Sequence, residues 1–174
     1  YLVTCPSVSP ENTFILPSGE RGCNSAGVTM DNQILRDLFT QCIEAAKILG
    51  VDDELNEKIK YQLSRLRPTQ IASNGTLMEW DKEYEEAEPG HRHISHLFGL
   101  YPGDQINQSD PVIFGAAQKT IENLGAYVHH VHIKDAIVGE AGESHQYCLV
   151  GSGTLPAEDM MRALRSVNYD GFVS

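Results

Sequence analysis

The hydrophobic periodicity of this chain changes once, and that change limits the folds open to it. Over residues 29–49 apolar side chains recur at intervals of three or four, the period of an amphipathic helix, and a second such stripe runs from Leu55 to Leu66. Over residues 127–133 the pattern alternates and is rich in β-branched residues, which is typical of a strand. The sequence therefore predicts a mainly α N-terminal part followed by an α/β piece.

Glycine and capping residues delimit the predicted helices. Thr29 or Asp31 can cap the first helix, and Gly50 suits its C-terminal end. A second helix begins at Asp52 or Asp53, and the short link predicts an antiparallel pair. The other predicted elements are an irregular segment over 1–28, a helix over 110–124, a loop over 136–154, a helix over 157–167 and a strand over 172–174.

Composition excludes several classes of partner. The 174 residues carry a formal net charge of -11, and nucleic-acid phosphates need a basic surface instead. No apolar run approaches the roughly 18 to 20 residues that cross a membrane, so no membrane partner is expected. Tyr1 is neither an initiator methionine nor the start of a signal peptide, which predicts a start within a longer or processed protein. The four cysteines lack CxxC spacing and are expected to be free thiols, although Cys5 and Cys23 could pair.

A loop rich in imidazole is the strongest functional signal. Residues 89–103 begin and end with Pro-Gly, hold three histidines, and are predicted to contain a short helical piece. They follow the acidic stretch 79–88, which makes the region a candidate for polar substrate chemistry. The candidate side chains are His91, Arg92 and His93. The alternative for each of them is a loop packed by its own polar groups.

Four separated motifs carry a family resemblance. They are the segments 4–12 and 29–39, the pair Glu79-Trp80, and the run 89–103, in that order. With these motifs, residues 1 to about 107 resemble the catalytic domain of glycoside hydrolase family 95, the inverting α-L-fucosidases. The resemblance implies a fragment of an (α/α)6 toroid of helical hairpins, a carbohydrate substrate, no cofactor, and a secreted or periplasmic parent protein.

The same resemblance implies roles for individual residues. Inverting hydrolysis uses two carboxyl functions about 6.5–9.5 Å apart, one protonating the leaving oxygen and the other activating water. Glu11, in the motif Ser-Pro-Glu-Asn, would be the general acid; its alternative is a solvated loop carboxylate. Asp31 would contact sugar or cap its helix, and Trp80 would stack on a sugar face or lie in the core. The loop residues His91, Arg92 and His93 would bind sugar hydroxyls.

The rest of that catalytic machinery is not found in the sequence. The family activates water through motifs that resemble Asn-x-Asn and Gln-Ile-Asp-Gly-Asn, and this chain carries neither. About 107 residues are also too few for a toroid of twelve helices. The sequence therefore predicts an incomplete hydrolase.

The C-terminal segment has a different resemblance. Residues 127–135, 147–153 and 161–174 resemble the sugar phosphate isomerase/epimerase superfamily, which has xylose-isomerase-like TIM barrels. The resemblance implies a terminal βαβ piece of such a barrel, a divalent metal held by His132 with His130 beside it, and a cytoplasmic parent protein. The alternative for the two histidines is an exposed or core-edge pair.

Together these readings predict a chimera. Its parts would be a hydrolase-like domain fragment over 1–110 and an isomerase-like fragment over 111–174, with a seam between about Asn107 and Gly125. Three functions are open: an α-L-fucosidase-like hydrolase acting on fucosylated glycans, a metal-dependent sugar isomerase or epimerase, or an inactive fragment or interaction module. Helix faces and strand edges left uncovered predict a possible oligomer.

Overall fold

The computed structural model describes residues 1–51, 54–125, 127, 130–137, 146–166 and 168–174. Contacts between residues divide the chain into two compact units, Tyr1–Leu124 and Gly125–Ser174. The predicted domains divide after residue 110, whereas these units divide after Leu124. The two units are treated separately below.

Helix α1 spans Thr29–Leu49 and packs against α2, which spans Glu54–Arg65. The predicted end of α1 is confirmed, because Gly50 has a φ of 66° and its N–H donates to the Lys47 carbonyl oxygen. The Val51 N–H donates to the Ala46 carbonyl at 2.9 Å, which completes a Schellman motif. The predicted capping residues of α2, Asp52 and Asp53, lie outside the described residues.

The predicted cap of α1 is wrong. Val28 occupies the N-cap position, with no side-chain hydrogen bond to the helix start. The Thr29 hydroxyl instead donates to the Met78 carbonyl oxygen at 2.5 Å, and Asp31 accepts hydrogen bonds from residues before the helix. The side chains of Thr29 and Asp31, which the local pattern predicts to be capping residues, therefore bind segments outside the helix.

Short strands organise the segment that the sequence predicts to be irregular. Strand β1 (Ser7–Val8) pairs with β4 (Asn24–Ser25), and β2 (Phe14–Ile15) lies between β3 (Arg21–Gly22) and β5 (Glu85–Glu86), all antiparallel. Each strand has two residues, too few to show a period of two. The short helical piece predicted within 89–103 is confirmed as a 3-10 turn over Ser95–Leu97.

Two apolar clusters form the core of the first unit. The larger includes two residues of helix α3, which spans Pro111–Gly125. Because Ala116 and Ala117 are buried in that cluster, α3 packs with the residues before it. The members of the first cluster are Leu77, Leu97, Ile106, Ala116 and Ala117, and those of the second are Phe14, Val28 and Trp80.

The second unit contains the predicted strand–helix–strand order. Strand β6 (His130–Val131) pairs in parallel with β9 (Phe172–Val173), and α4 (Ala157–Ser166) lies between them in sequence. Within the predicted loop, β7 (Asp135–Ile137) and β8 (Gln146–Cys148) form an antiparallel pair that sequence reasoning missed. The described chain is therefore a mixed α/β structure with helices and small scattered strands.

Backbone amides surround the buried side chain of Asp135 in this second unit. Its carboxylate accepts N–H bonds of 2.8 to 3.0 Å from Ala136, Gly151, Gly153 and Leu155. These bonds, with that of Leu155 the strongest contributor, hold the pKa of Asp135 below its usual range. One side chain thus orders the segment that follows β8.

Candidate active site

A buried carboxylate, that of Glu79, lies at the centre of the polar residues in the first unit. Glu79 is 6% exposed and lies near the buried Leu77 in the sequence. Its carbonyl oxygen accepts the backbone N–H of Thr29 at the start of α1. The Ser9 hydroxyl donates to its Oε1, and the Asn12 amide donates to its Oε2 at 3.1 Å. The Asn12 backbone N–H also donates to the Ser9 carbonyl at 2.9 Å, which closes a turn around Glu11.

Glu11 and the imidazole-rich loop meet in the structure. The Glu11 carboxylate forms an ion pair with the Arg92 guanidinium, and His93 Nε2 lies 3.7 Å from the same Oε2 atom. The side chains of Glu11 and Arg92 are each 67% exposed, so both reach solvent. Two motifs that are separated by 81 positions therefore form one exposed polar cluster.

His91 differs from its two neighbours because it is buried. Its Nδ1 accepts the His93 backbone N–H at 3.2 Å, and the two imidazole rings lie 5.4 Å apart. An Nδ1 that accepts a hydrogen bond carries no proton, so the assigned tautomer of His91 has its proton on Nε2. His91 can thus donate one hydrogen bond while it orders the loop.

Burial shifts the pKa values of three groups around this cluster. It raises the pKa of Glu79, against the hydrogen bonds from Ser9 and Asn12. It lowers the pKa of His96 to about 4, so that imidazole, 3.6 Å from Glu79, is neutral. Burial, together with repulsion from Glu79, raises the pKa of Glu86 to about 6 against the influence of His91. Glu86 therefore retains its proton in mildly acidic solution, and burial favours the protonated form of Glu79 as well.

The structure places Asp31 and Trp80 away from this exposed cluster's contacts. Asp31 Oδ2 accepts hydrogen bonds from the hydroxyls of Thr4 and Ser7 at 3.1 and 2.6 Å, which ties the N-terminal segment to α1. Trp80 is 3% exposed and packs edge-on against Phe14, with ring centroids 5.3 Å apart. Of the two alternatives for Trp80, stacking on a sugar or a position in the core, its indole therefore has the core position.

His132 lies in the second unit. Its ring stacks on that of His130 with centroids 4.4 Å apart, and the Ser174 hydroxyl lies within 3.0 Å of a nitrogen of each ring. Within the described residues, no group of three or more His, Cys, Asp or Glu side chains could hold a metal ion. None of the helices described is long and apolar enough to cross a bilayer.

Sequence reasoning missed the buried half of the first-unit site. Ser9, Asn12, Glu79 and His96 all lie within the four motifs, yet none of them is among the site residues that the sequence predicts. The available signal was polar residues inside apolar surroundings, such as Glu79 directly before Trp80. Glu86 had no signal of its own, because it belongs to a run of acidic residues.

Sequence comparisons define the class of protein. The chain belongs to the family of the glycosyl hydrolase family 95 catalytic domain, which matches residues 1–140. It is 38% identical over 127 residues to alpha-L-fucosidase 2 of Arabidopsis thaliana, covering 72% of this chain and 15% of that protein. It is 35% identical over 108 residues to probable alpha-fucosidase A of Aspergillus oryzae, covering 59% of this chain and 14% of that protein.

These relatives are much longer than the chain, which spans about 15% of their length. The family match covers all four motifs and continues beyond the predicted seam to residue 140, past His132. These findings support the family 95 resemblance. They do not support the isomerase-like reading of residues 125–174 or the predicted chimera.

Proposed function

We propose that this chain contributes the general acid and part of the sugar-binding surface of an inverting α-L-fucosidase-like hydrolase that acts on fucosylated glycans. The observation that carries the proposal is the cluster of Glu11 with Arg92 and His93. It brings a carboxyl group and cationic or hydrogen-bonding groups to one exposed surface within the matched region.

In this proposal Glu11 donates a proton to the glycosidic oxygen as the bond to the sugar breaks. Arg92 and His93 hold sugar hydroxyls beside it, and His91 orders the loop and donates a hydrogen bond from its Nε2–H to the sugar. The sugar contact predicted for Asp31 stays a prediction on which this proposal does not depend, because Asp31 Oδ2 binds the hydroxyls of Thr4 and Ser7. Trp80 stacking on sugar is left out, because its ring is buried against Phe14.

The water-activating groups are expected outside this chain. The relatives extend far beyond the matched region, and the chain lacks the two asparagine- and aspartate-containing motifs of the family. We propose that α1 and α2 form one hairpin of a larger helical toroid and that activity requires the rest of it. Uncovered apolar side chains such as Ile48 and Leu49 on α1 would then contact other segments or other copies.

The test is Glu11→Gln in the intact protein that carries this sequence. We expect the hydrolysis rate of an aryl α-L-fucoside to fall by about 10²- to 10⁴-fold, because a carboxamide cannot donate the proton. Proton NMR of the first product formed should show inversion at the anomeric carbon. Glu44→Gln, at an exposed position on α1, is the matched control and should behave as wild type. Activity retained in Glu11→Gln contradicts the proposed role.

A second function is kept because of two observations in the second unit. The parallel pairing of β6 with β9 and the stacked His130–His132 pair fit the strand–helix–strand piece of an isomerase-like barrel. That hypothesis expects a divalent metal to bind at His132. Titration with Mn²⁺, followed by broadening of the histidine NMR signals in wild type and His132→Ala, tests it, and unchanged signals in wild type reject it.

A further inference from the structure

Glu79 contacts two segments that meet at Glu11. The first is the turn over residues 9–12, in which the side chains on either side of Glu11 both donate to the Glu79 carboxylate. Ser9 donates to Oε1, and Asn12 donates to both oxygens, at 3.3 and 3.1 Å. Since Ser9, Asn12 and Glu79 are all buried, a displacement of the turn would leave polar atoms without partners.

The second segment is the loop that carries Arg92 and His93. The Ser9 hydroxyl lies 2.6 Å from the Ser95 hydroxyl, so the atom that bonds Glu79 also bonds the loop. One residue further along, the His96 ring lies 3.6 Å from Glu79 Oε2 and is buried there. The carboxylate therefore adjoins both halves of the exposed cluster, although it does not belong to it.

The position of Glu79 itself depends on α1. Its carbonyl oxygen accepts the Thr29 backbone N–H at 3.0 Å, and the preceding carbonyl, that of Met78, accepts the Thr29 hydroxyl. The following residue, Trp80, is packed in the aromatic core. Glu79 is thus attached to a long helix and to the core, which makes it a rigid reference point for two loop segments.

We propose that Glu79 is a positioning residue: its buried carboxylate sets the Glu11 turn in register with the loop that carries Arg92 and His93. The inference rests on the proposed function for its catalytic consequence. Glu79 does not touch the exposed reacting groups, and it acts through Ser9 and Asn12. The geometry also predicts that the Ser9–Ser95 link transmits part of this effect.

The first experiment compares Glu79→Gln with Glu44→Gln in the intact protein that carries this sequence. In Glu79→Gln an amide nitrogen replaces one acceptor and faces the Asn12 amide, so one hydrogen bond is lost without a change of size. We expect kcat for an aryl α-L-fucoside to fall by about 10- to 100-fold while KM changes by less than about threefold, because misplacement of a reacting group acts on kcat. Glu44→Gln should leave both constants unchanged.

A second readout does not depend on hydrolysis. In wild type, acid titration of Glu11 should shift the ¹⁵N resonances of the Arg92 guanidinium, because the two groups are paired. We expect that shift to fall to about half or less in Glu79→Gln, since a charge pair weakens as its separation grows. A wild-type protein that hydrolyses no fucoside would overturn the proposed function, and the Arg92 response alone would then decide the positioning role.

Two results would overturn the inference. In the first, Glu79→Gln has a lowered melting temperature, but its kcat per folded molecule and its Arg92 response are the same as in wild type. Glu79 would then have a structural role only. The second applies if Glu79→Gln does not fold. Ser95→Ala is then tested instead, because it removes only the hydroxyl link to Ser9. We expect its kcat to fall about three- to tenfold, and a kcat within about twofold of wild type rejects the inference.

Discussion

Glu79 in the first unit and Asp135 in the second are both buried carboxylates, yet their environments act on them in opposite directions. Four backbone N–H groups surround Asp135, and its pKa is lowered. Glu79 receives hydrogen bonds from two side chains, which do not offset its burial, and its pKa is raised. Backbone amides within about 20 residues hold Asp135, whereas the partners of Glu79 lie about 70 residues away.

The difference separates a local anchor from a long-range one. The Asp135 carboxylate closes a short loop, because its donors lie within 20 residues of it in sequence. The Glu79 carboxylate can be satisfied only after the N-terminal turn and α1 have packed. The role proposed for Glu79 rests on these long-range hydrogen bonds, and its raised pKa agrees with the tendency of perturbed groups to lie at functional sites.

The largest expected effect comes from Glu79→Ala. Removal of the carboxylate leaves the Ser9 and Asn12 donors buried without an acceptor, and we expect the free energy of unfolding of the first unit to fall by about 3 kcal/mol. Urea unfolding followed by the fluorescence of Trp80, the one tryptophan of the chain, measures this unit selectively. A loss below about 0.5 kcal/mol would contradict the long-range anchor.

Gly153→Ala tests the local anchor in the second unit. An added Cβ would lie 2.6 Å from the Ala136 carbonyl oxygen and against the Asp135 carboxylate. The loop whose N–H groups bind that carboxylate must therefore move apart. We expect a cost of about 2 kcal/mol for that unit and a rise in the pKa of Asp135, measured by carbon NMR of its carboxyl group. Gly115→Ala in α3 has open space around its Cβ and is the control, with no loss expected.

His96 predicts a pH dependence for the first unit. Because its folded pKa, about 4, lies below its ordinary value of 6.5, the folded state resists protonation, and stability is lost as the pH falls through this range. From about pH 6.5 to about pH 5 the cost is about 1.5 kcal/mol. His96→Gln should lack this pH dependence. The free energy of unfolding from urea titrations should therefore fall more in wild type than in His96→Gln between about pH 6.5 and about pH 5.

Glu86 gives a smaller effect of opposite sign. Its folded pKa, about 6, lies above its ordinary value of 4.5, so its contribution to stability grows as the pH falls from about 7 to about 5. Although its carboxyl group is partly desolvated, Glu86 still reaches solvent, and this screening reduces the contribution to about 0.5 kcal/mol. The unfolding free energy of wild type minus that of Glu86→Gln should rise over that pH range, and a constant difference would show that Glu86 does not titrate there.

Local patterns were sufficient for some elements and insufficient for others. The stripe over residues 29–49 and the glycine after it predict α1 and its end, because helix periodicity and a left-handed cap depend on neighbours a few residues away. The β7–β8 pair was missed, since three-residue strands in a glycine-rich stretch carry little alternation. The cap of α1 was predicted wrongly, because Thr29 and Asp31 found partners outside the helix.

The sequence by itself determined the family motifs, the two N-terminal helices, and the residue types that could donate a proton or bind a sugar. Only the tertiary structure decided that Glu11 meets Arg92, that Trp80 lies in the core, and that Glu79 is buried between two segments of the site. The physical reason is distance along the chain. Periodicity and capping act within a few residues, whereas burial and the hydrogen bonds of Glu79 depend on segments that only packing brings together.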